Sequence, residues 1–261
     1  MEKNRPIKIK TQDGKSVYFA SDQHFGAPNE IDSKKREEIF LSWLNEIENT
    51  TDTLFLIGDL FDFWFEYKYV VPKGFVRILG KLAQLKDKGI TIYFFTGNHD
   101  LWIDDYFEKE LGFIVFRKKQ YFEIDDKLFL IAHGDGLGPG DKGYKRMKKV
   151  FTNPISKWLY RWLHPDLGMK LGNYLSRKNK LISGNEDIIY LGEDKEWLAL
   201  YSKRKLKQEK IHFFIYGHRH LPIKIQLSPE SVYFNLGDWI THYSYGKYQK
   251  GNFELIINYS K

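Results

Sequence analysis

The 261-residue chain has no cysteine. That excludes disulfides, thiolate nucleophiles and cysteine-bound zinc, so any metal must be held by oxygen and imidazole. The chain also lacks an uninterrupted apolar run of about 18 residues, which excludes a membrane-spanning helix. Its opening stretch, MEKNRPIKIKTQDG, has no apolar segment followed by a small-residue cleavage site. The expected location is therefore the cytoplasm. Internal repeats and low-complexity segments are absent as well. With 42% hydrophobic residues the chain can bury one large core, and a single domain over residues 1–261 is expected.

Acidic residues are scarce in one window. From Asp141 to Lys180 there are eleven Lys or Arg, opposed only by Asp141 and Asp166. The window is net +9 against +7 for the whole chain, so everything else is −2. A basic surface confined to one region suits an anionic membrane, a phosphate-rich substrate or a nucleic acid.

What the chain does contain is a recurring strand pattern with a recurring kind of ending. SVYFASDQH stops at Asp22 and His24, TLFLIGDLFD at Gly58 and Asp59, and ITIYFFTGNHD at Gly97, Asn98 and His99. KLFLIAHGD stops at His133, HFFIYGHRH at His218 and His220, and SVYFNLGDW at Gly237 and Asp238. Near-continuous apolar runs of this length predict strands covered on both faces. Between them, SKKREEIFLSWLNEIEN and FVRILGKLAQLKDKG carry apolar residues at helical spacing, the second ending at Gly89. Strands alternating with helices predict a layered α/β fold, with a β-sheet core flanked by helices. Residues 141–206 show no strand pattern and predict a helical insertion, or cap, within the domain.

Asp22, His24, Asp59, Asn98, His133, His218 and His220 each follow an apolar strand, and strand ends of an α/β sheet share one edge. One such residue is ordinarily a turn residue. Seven buried together without partners would each cost about 1–3 kcal/mol, which divalent cations would relieve. Seven ligands exceed one tetrahedral ion and suit two metals sharing a carboxylate, with Asp59 on the central strand as the bridge. A metal pair clamps the attacking and departing oxygens of a phosphoryl group. His218 and His220, two apart, can each serve a different ion. Asp62, Asp135 and Asp238 lie near these motifs and are expected to hydrogen-bond ligands or loop amides.

In order and context, DQH, GDLFD, GNHD, AHGD and GHRH resemble the motifs of the calcineurin-like metallophosphoesterases, across residues 22 to 220. The resemblance implies that Asp22, His24, Asp59 and His220 hold one metal, and Asp59, Asn98, His133 and His218 the other. It implies that His99 contacts the phosphoryl group or protonates the leaving oxygen, and that Asp100 orients His99. Within this family, GDLFDFW and HGDGLGPGDKGYKRMKKVFTNP are similar to the UDP-2,3-diacylglucosamine pyrophosphatase branch of lipid A biosynthesis. That similarity implies hydrolysis of a pyrophosphate bond to give 2,3-diacylglucosamine 1-phosphate and UMP; the alternative is a metal-dependent phosphodiesterase or phosphatase acting on another nucleotide, lipid or nucleic-acid substrate. It also implies a manganese pair, with iron or zinc as alternatives, and a cap that holds the acyl chains. Asn98, Asp141, Tyr144, Arg177 and Lys178 are the implied substrate contacts. The chain departs from the branch at His99, where the branch carries arginine.

In the insertion, NPISKWLYRWLHP predicts a short helix capped by Asn153, with Pro154 in its first turn. Ile155, Trp158, Leu159, Trp162 and Leu163 fall on one face, and Lys157 and Arg161 lie off it. This pattern suits the surface of an anionic membrane, so association with the cytoplasmic face of the inner membrane is expected. A stripe packed on the main domain is the alternative. Nucleic acid is not the expected partner, because the tryptophans have amphipathic helical spacing and are not scattered as stacking platforms would be. Nor is a non-catalytic scaffold expected, since all seven metal ligands are retained.

Overall fold

The computed structural model describes residues 5–138, 142–183 and 189–259, with the side chains of 142–144 and 177–183 left aside. In Ser16–Ala20, successive side chains alternate between two buried clusters. Val17 and Phe19 enter one, Tyr18 and Ala20 the other. The period-2 geometry of a strand makes this inevitable once both faces are covered, and it explains why the run is apolar throughout.

In chain order the strands are β1 (Ile7–Ile9), β2 (Ser16–Ala20), β3 (Thr51–Ile57), β4 (Thr91–Phe95), β5 (Ile114–Phe116), β6 (Gln120–Ile124), β7 (Lys127–Ile131), β8 (Phe213–Tyr216), β9 (Pro222–Ser228), β10 (Ser231–Leu236), β11 (Tyr245–Gln249) and β12 (Asn252–Ile256). The helices are α1 (Glu30–Ile47), α2 (Val76–Asp87), α3 (Tyr106–Lys109), α4 (Lys142–Phe151), α5 (Pro154–Arg161), α6 (Pro165–Ser183) and α7 (Trp197–Leu206).

The strands form two six-stranded sheets, ordered β12-β11-β2-β3-β4-β5 and β1-β6-β7-β8-β10-β9. Phe19, Phe55 and Phe95 of the first sheet share a buried cluster with Phe129, Ile215 and Phe234 of the second, so the sheets pack face to face. The outer face of the first sheet meets Phe40, Trp43 and Leu44 of α1 and Leu82 of α2. The outer face of the second meets Leu198 and Ala199 of α7. The layers run helix, sheet, sheet, helix, which is the expected layered α/β core. β2, β3 and β4 are mutually parallel, and so are β7, β8 and β10. Their carboxyl ends carry the motif loops.

Helix boundaries follow local chemistry. Asn29 caps α1 by accepting from the Asp32 amide at 3.0 Å, which starts the helix one turn before its apolar period. α2 ends just before Gly89, whose φ of 88° needs no Cβ to be tolerated. α5 is capped by Asn153 as expected, with Oδ1 2.8 Å from the Ile155 amide.

Four helices and, among the described residues, no strand lie between β7 and β8. α5 attaches to the body through Tyr160, whose ring lies 4.5 Å from that of Trp102 and 4.6 Å from that of Phe65. Its opposite face is open to solvent: Trp158 is 57% exposed and Trp162 75%. α6 approaches the body at Gly172, where a Cβ would overlap the Phe63 ring.

Candidate metal centre

The strand-end residues converge on one rim. Five of them, Asp22, His24, Asp59, His218 and His220, have φ between 47° and 72°. Left-handed backbone costs a residue with a Cβ about 1–2 kcal/mol, so the turns that present these side chains are held by the surrounding fold. Gly97 allows the closest approach: a Cβ there would fall on Asp59 Oδ1.

Two groups of donors share one carboxylate oxygen. Asp59 Oδ2 is 3.6 Å from His24 Nε2 and 3.4 Å from His133 Nε2. On the first side, His24 Nε2 is 3.3 Å from His220 Nε2, and Asp22 Oδ1 is 3.9 Å and 3.6 Å from those two nitrogens. On the second side, Asn98 Oδ1 lies 3.1 Å from His133 Nε2 and 2.9 Å from His218 Nδ1. The donor atoms of Asp22, His24 and His220, and those of Asp22, Asp59 and His133, lie within 4.8 Å of one another. His24, Asp59 and His99 form a third such group.

The donor chemistry fits divalent cations. Asp22 Oδ1 is buried and has no hydrogen-bond partner, a costly state for a carboxylate oxygen unless a cation faces it. His133 Nδ1–H donates to the Ile57 carbonyl at 2.8 Å, which reserves Nε2 for the rim. Burial raises Asp22 above the usual carboxylate range, and burial with the nearby Asp59 charge pushes Asp100 up to about 8. Asp59 goes the other way. Burial opposes its charge, yet His133, His99 and His24 around it hold it well below that range. His133 in turn is desolvated but rises to about 10, because Asp59 lies against it.

Carboxylates stand behind two of the histidines. Asp62 Oδ1 is 3.3 Å from His24 Nδ1, and Asp238 Oδ2 is 3.4 Å from His220 Nδ1. Asp238 Oδ1 also accepts the Thr241 and His242 amides, both at 2.9 Å. Asp135 pairs with Lys148 of α4 at 2.5 Å.

One expectation is corrected. Asp100 does not orient His99. Its Oδ1 accepts the Gly97 amide at 2.6 Å and its Oδ2 the Leu60 amide at 3.1 Å, so it joins the loops after β3 and β4. Both carboxylate oxygens of Asp100 are thus engaged by backbone amides. His99 Nδ1–H is met instead by the Asp62 carbonyl and by Ser176 Oγ, each at 2.9 Å. Ser176 belongs to α6, and no sequence signal marked it. Of the expected substrate contacts, Asn98 is on the rim. Asp141 lies outside the described residues. Tyr144 falls within α4, and Arg177 and Lys178 within α6, but their side chains lie outside the description.

With this geometry in place, comparison assigns the class. The Calcineurin-like phosphoesterase family profile matches residues 15–222, and the chain belongs to that family, whose members are hydrolases that use divalent metals. More particular relatives match most of its length. A protein of Porphyromonas gingivalis named UDP-2,3-diacylglucosamine hydrolase is 38% identical over 241 residues, covering 88% of this chain and 92% of that protein. Proteins of the same name from Edwardsiella ictaluri and Shewanella piezotolerans are 27% and 28% identical. The first alignment covers 78% of both chains, the second 91% of this chain and 96% of that protein. Among the described residues, no helix is long and apolar enough to cross a membrane.

Proposed function

We propose that this hydrolase cleaves the pyrophosphate bond of UDP-2,3-diacylglucosamine, giving 2,3-diacylglucosamine 1-phosphate and UMP. Asp22, His24, Asp59 and His220 hold one divalent ion, and Asp59, Asn98, His133 and His218 a second, with manganese as the physiological metal. Bound there, such ions act as Lewis acids toward phosphoryl oxygens and lower the pKa of water.

The chain's own groups do the rest. Asp62 and Asp238 hold the rings of His24 and His220 in orientation. The Asp62 carbonyl accepts a hydrogen bond from His99 Nδ1–H, which leaves Nε2 to meet a phosphoryl oxygen. The departing group is a phosphate monoester, which needs little protonation. Asp141, Tyr144, Arg177 and Lys178 contact the phosphates and the sugar, and the basic surface of α4 to α6 draws the anionic substrate in. The apolar face of α5 meets the acyl chains at the cytoplasmic surface of an anionic inner membrane.

The observation that carries this reading is the coexistence of two features in one insertion. Its tryptophan face is open to solvent, while its Ser176 touches His99. A substrate that is both lipidic and phosphorylated uses both; a soluble nucleotide or a nucleic acid uses one. The identity with relatives named for this substrate supports the same conclusion. The decisive experiment measures manganese-dependent UMP release from the diacylated UDP-sugar in mixed micelles, beside a chromogenic phosphodiester, DNA and RNA. Cleavage of nucleic acid without UMP release would replace this reading with a nuclease.

A further inference from the structure

Arg219 separates His218 from His220, and nothing in the chemistry above employs it. It is buried, at 6% exposure. Both neighbours lie in left-handed backbone, with φ of 72° and 53°, so the chain reverses sharply around it. Such a turn persists only where something holds it. The Arg219 Nε lies 3.3 Å from Glu196 Oε2, and its guanidinium donates to the Ile189 carbonyl at 3.0 Å. Glu196 is 2% exposed and immediately precedes α7, and its Oε1 accepts from the Tyr233 hydroxyl at 3.2 Å. Tyr233, on β10, is in register with Phe214 of β8, the strand that runs into the turn. The contacts therefore close a circuit from β8 through Arg219, Glu196 and Tyr233 back to β8. Ile189 and Glu196 also bracket the segment by which the insertion returns to the body. The adjoining Trp197 ring stands edge-on to His218 at 5.9 Å.

We propose that Arg219 acts with Glu196 as a positioning residue, a buried strut that sets the His218–His220 turn and the returning segment of the insertion as one unit. Neither residue touches substrate. The proposal rests on the metal-binding reading of the two histidines. Burying both charges is no efficient route to stability, because an apolar pair of similar volume commonly serves as well. What a guanidinium adds is reach to two partners: it donates to the Ile189 carbonyl while its charge lies 3.3 Å from the Glu196 carboxylate, two edges of one rigid plane. That is the property a turn carrying one ligand for each of two ions requires.

The test is the double variant R219M/E196L, which removes both charges together, since removing one leaves the other buried and unpaired. Thermal unfolding of the metal-free protein, manganese affinity by calorimetry, and kcat across manganese concentrations are measured. The expected result is a folded protein whose manganese dissociation constant rises about 10–100-fold, the usual effect of losing a group that orients metal ligands. Activity lost at limiting manganese should return in excess, and amide exchange at 189–197 should quicken. Wild-type affinity and wild-type kcat in a folded double variant would show a purely structural pair and overturn the proposal. Should the double variant not fold, R219K decides. It keeps the charge and loses the fork, so weakened manganese binding supports the strut and unchanged binding refutes it. A wild-type protein that binds no divalent metal removes the metal centre itself, and the strut with it.

Discussion

Ser176 Oγ lies 2.9 Å from His99 Nδ1, so a helix of the insertion touches the imidazole proposed to meet the phosphoryl group. The same hydroxyl donates toward Asp62, 2.9 Å from its carbonyl and 3.1 Å from its carboxylate. The insertion and the orientation of His99 are thereby linked. Replacing Ser176 with Ala should lower kcat by about tenfold or more, since small misplacements of a reacting group have effects of that order. Metal content should stay at the wild-type level. A fall in bound metal, or an unchanged kcat, would contradict the linkage.

Asp59 supplies the one oxygen that both donor groups approach. Asp59→Ala should abolish turnover and reduce bound manganese by at least one equivalent, measured by elemental analysis after gel filtration. His99→Ala separates the two roles, because it should slow turnover and leave both ions in place. A metal-depleted His99→Ala protein would instead make His99 a ligand.

Loading metal should release protons. In the metal-free protein burial opposes a charge on His133, but the adjacent Asp59 raises it to about 10, so it is protonated at neutral pH. A histidine must shed its Nε2 proton to bind a cation, so affinity should weaken by about tenfold for each pH unit lowered between about pH 8 and 6. Calorimetric titrations in buffers of different ionisation enthalpy check this directly. A binding enthalpy independent of buffer would show that no proton leaves.

Asp100 should prove a stability residue. Asp100→Ala strands the buried amides of Gly97 and Leu60, and each unpaired amide costs about 1–3 kcal/mol. The loss of folding stability should therefore be about 2–6 kcal/mol by denaturant titration. A fully stable variant with impaired turnover would restore the orienting role first expected for it.

Trp158 and Trp162 present an apolar face to solvent, 57% and 75% exposed. Changing both to Ser should leave thermal stability within about 1 kcal/mol, as for surface substitutions generally. Action on the diacylated substrate should fall far more than action on a small phosphodiester, and binding to anionic vesicles should weaken. Equal losses on both substrates would show that the face serves folding.

Much of this was written in local pattern. An apolar strand advertises itself by composition, and a polar residue that follows it directly is adjacent in sequence, so Asp22, Asp59, His133 and His218 could be picked out as candidates with no structure. The capped helix at Asn153 and its one-sided tryptophans are local in the same sense. Periodicity alone could not sort six similar strands into two sheets, because pairing depends on crossovers and register between distant segments. Nor could it separate the work of neighbours such as His99 and Asp100, whose partners come from the loop after β3 and from α6. Ser176 reaches His99 across 77 positions and Arg219 meets Glu196 outside any motif. Chemistry carried by single residue types was thus determined along the chain. Which groups brace one another was decided only when two sheets and an insertion closed around the rim, because a hydrogen bond or buried ion pair exists only where folding brings both partners within about 3 Å.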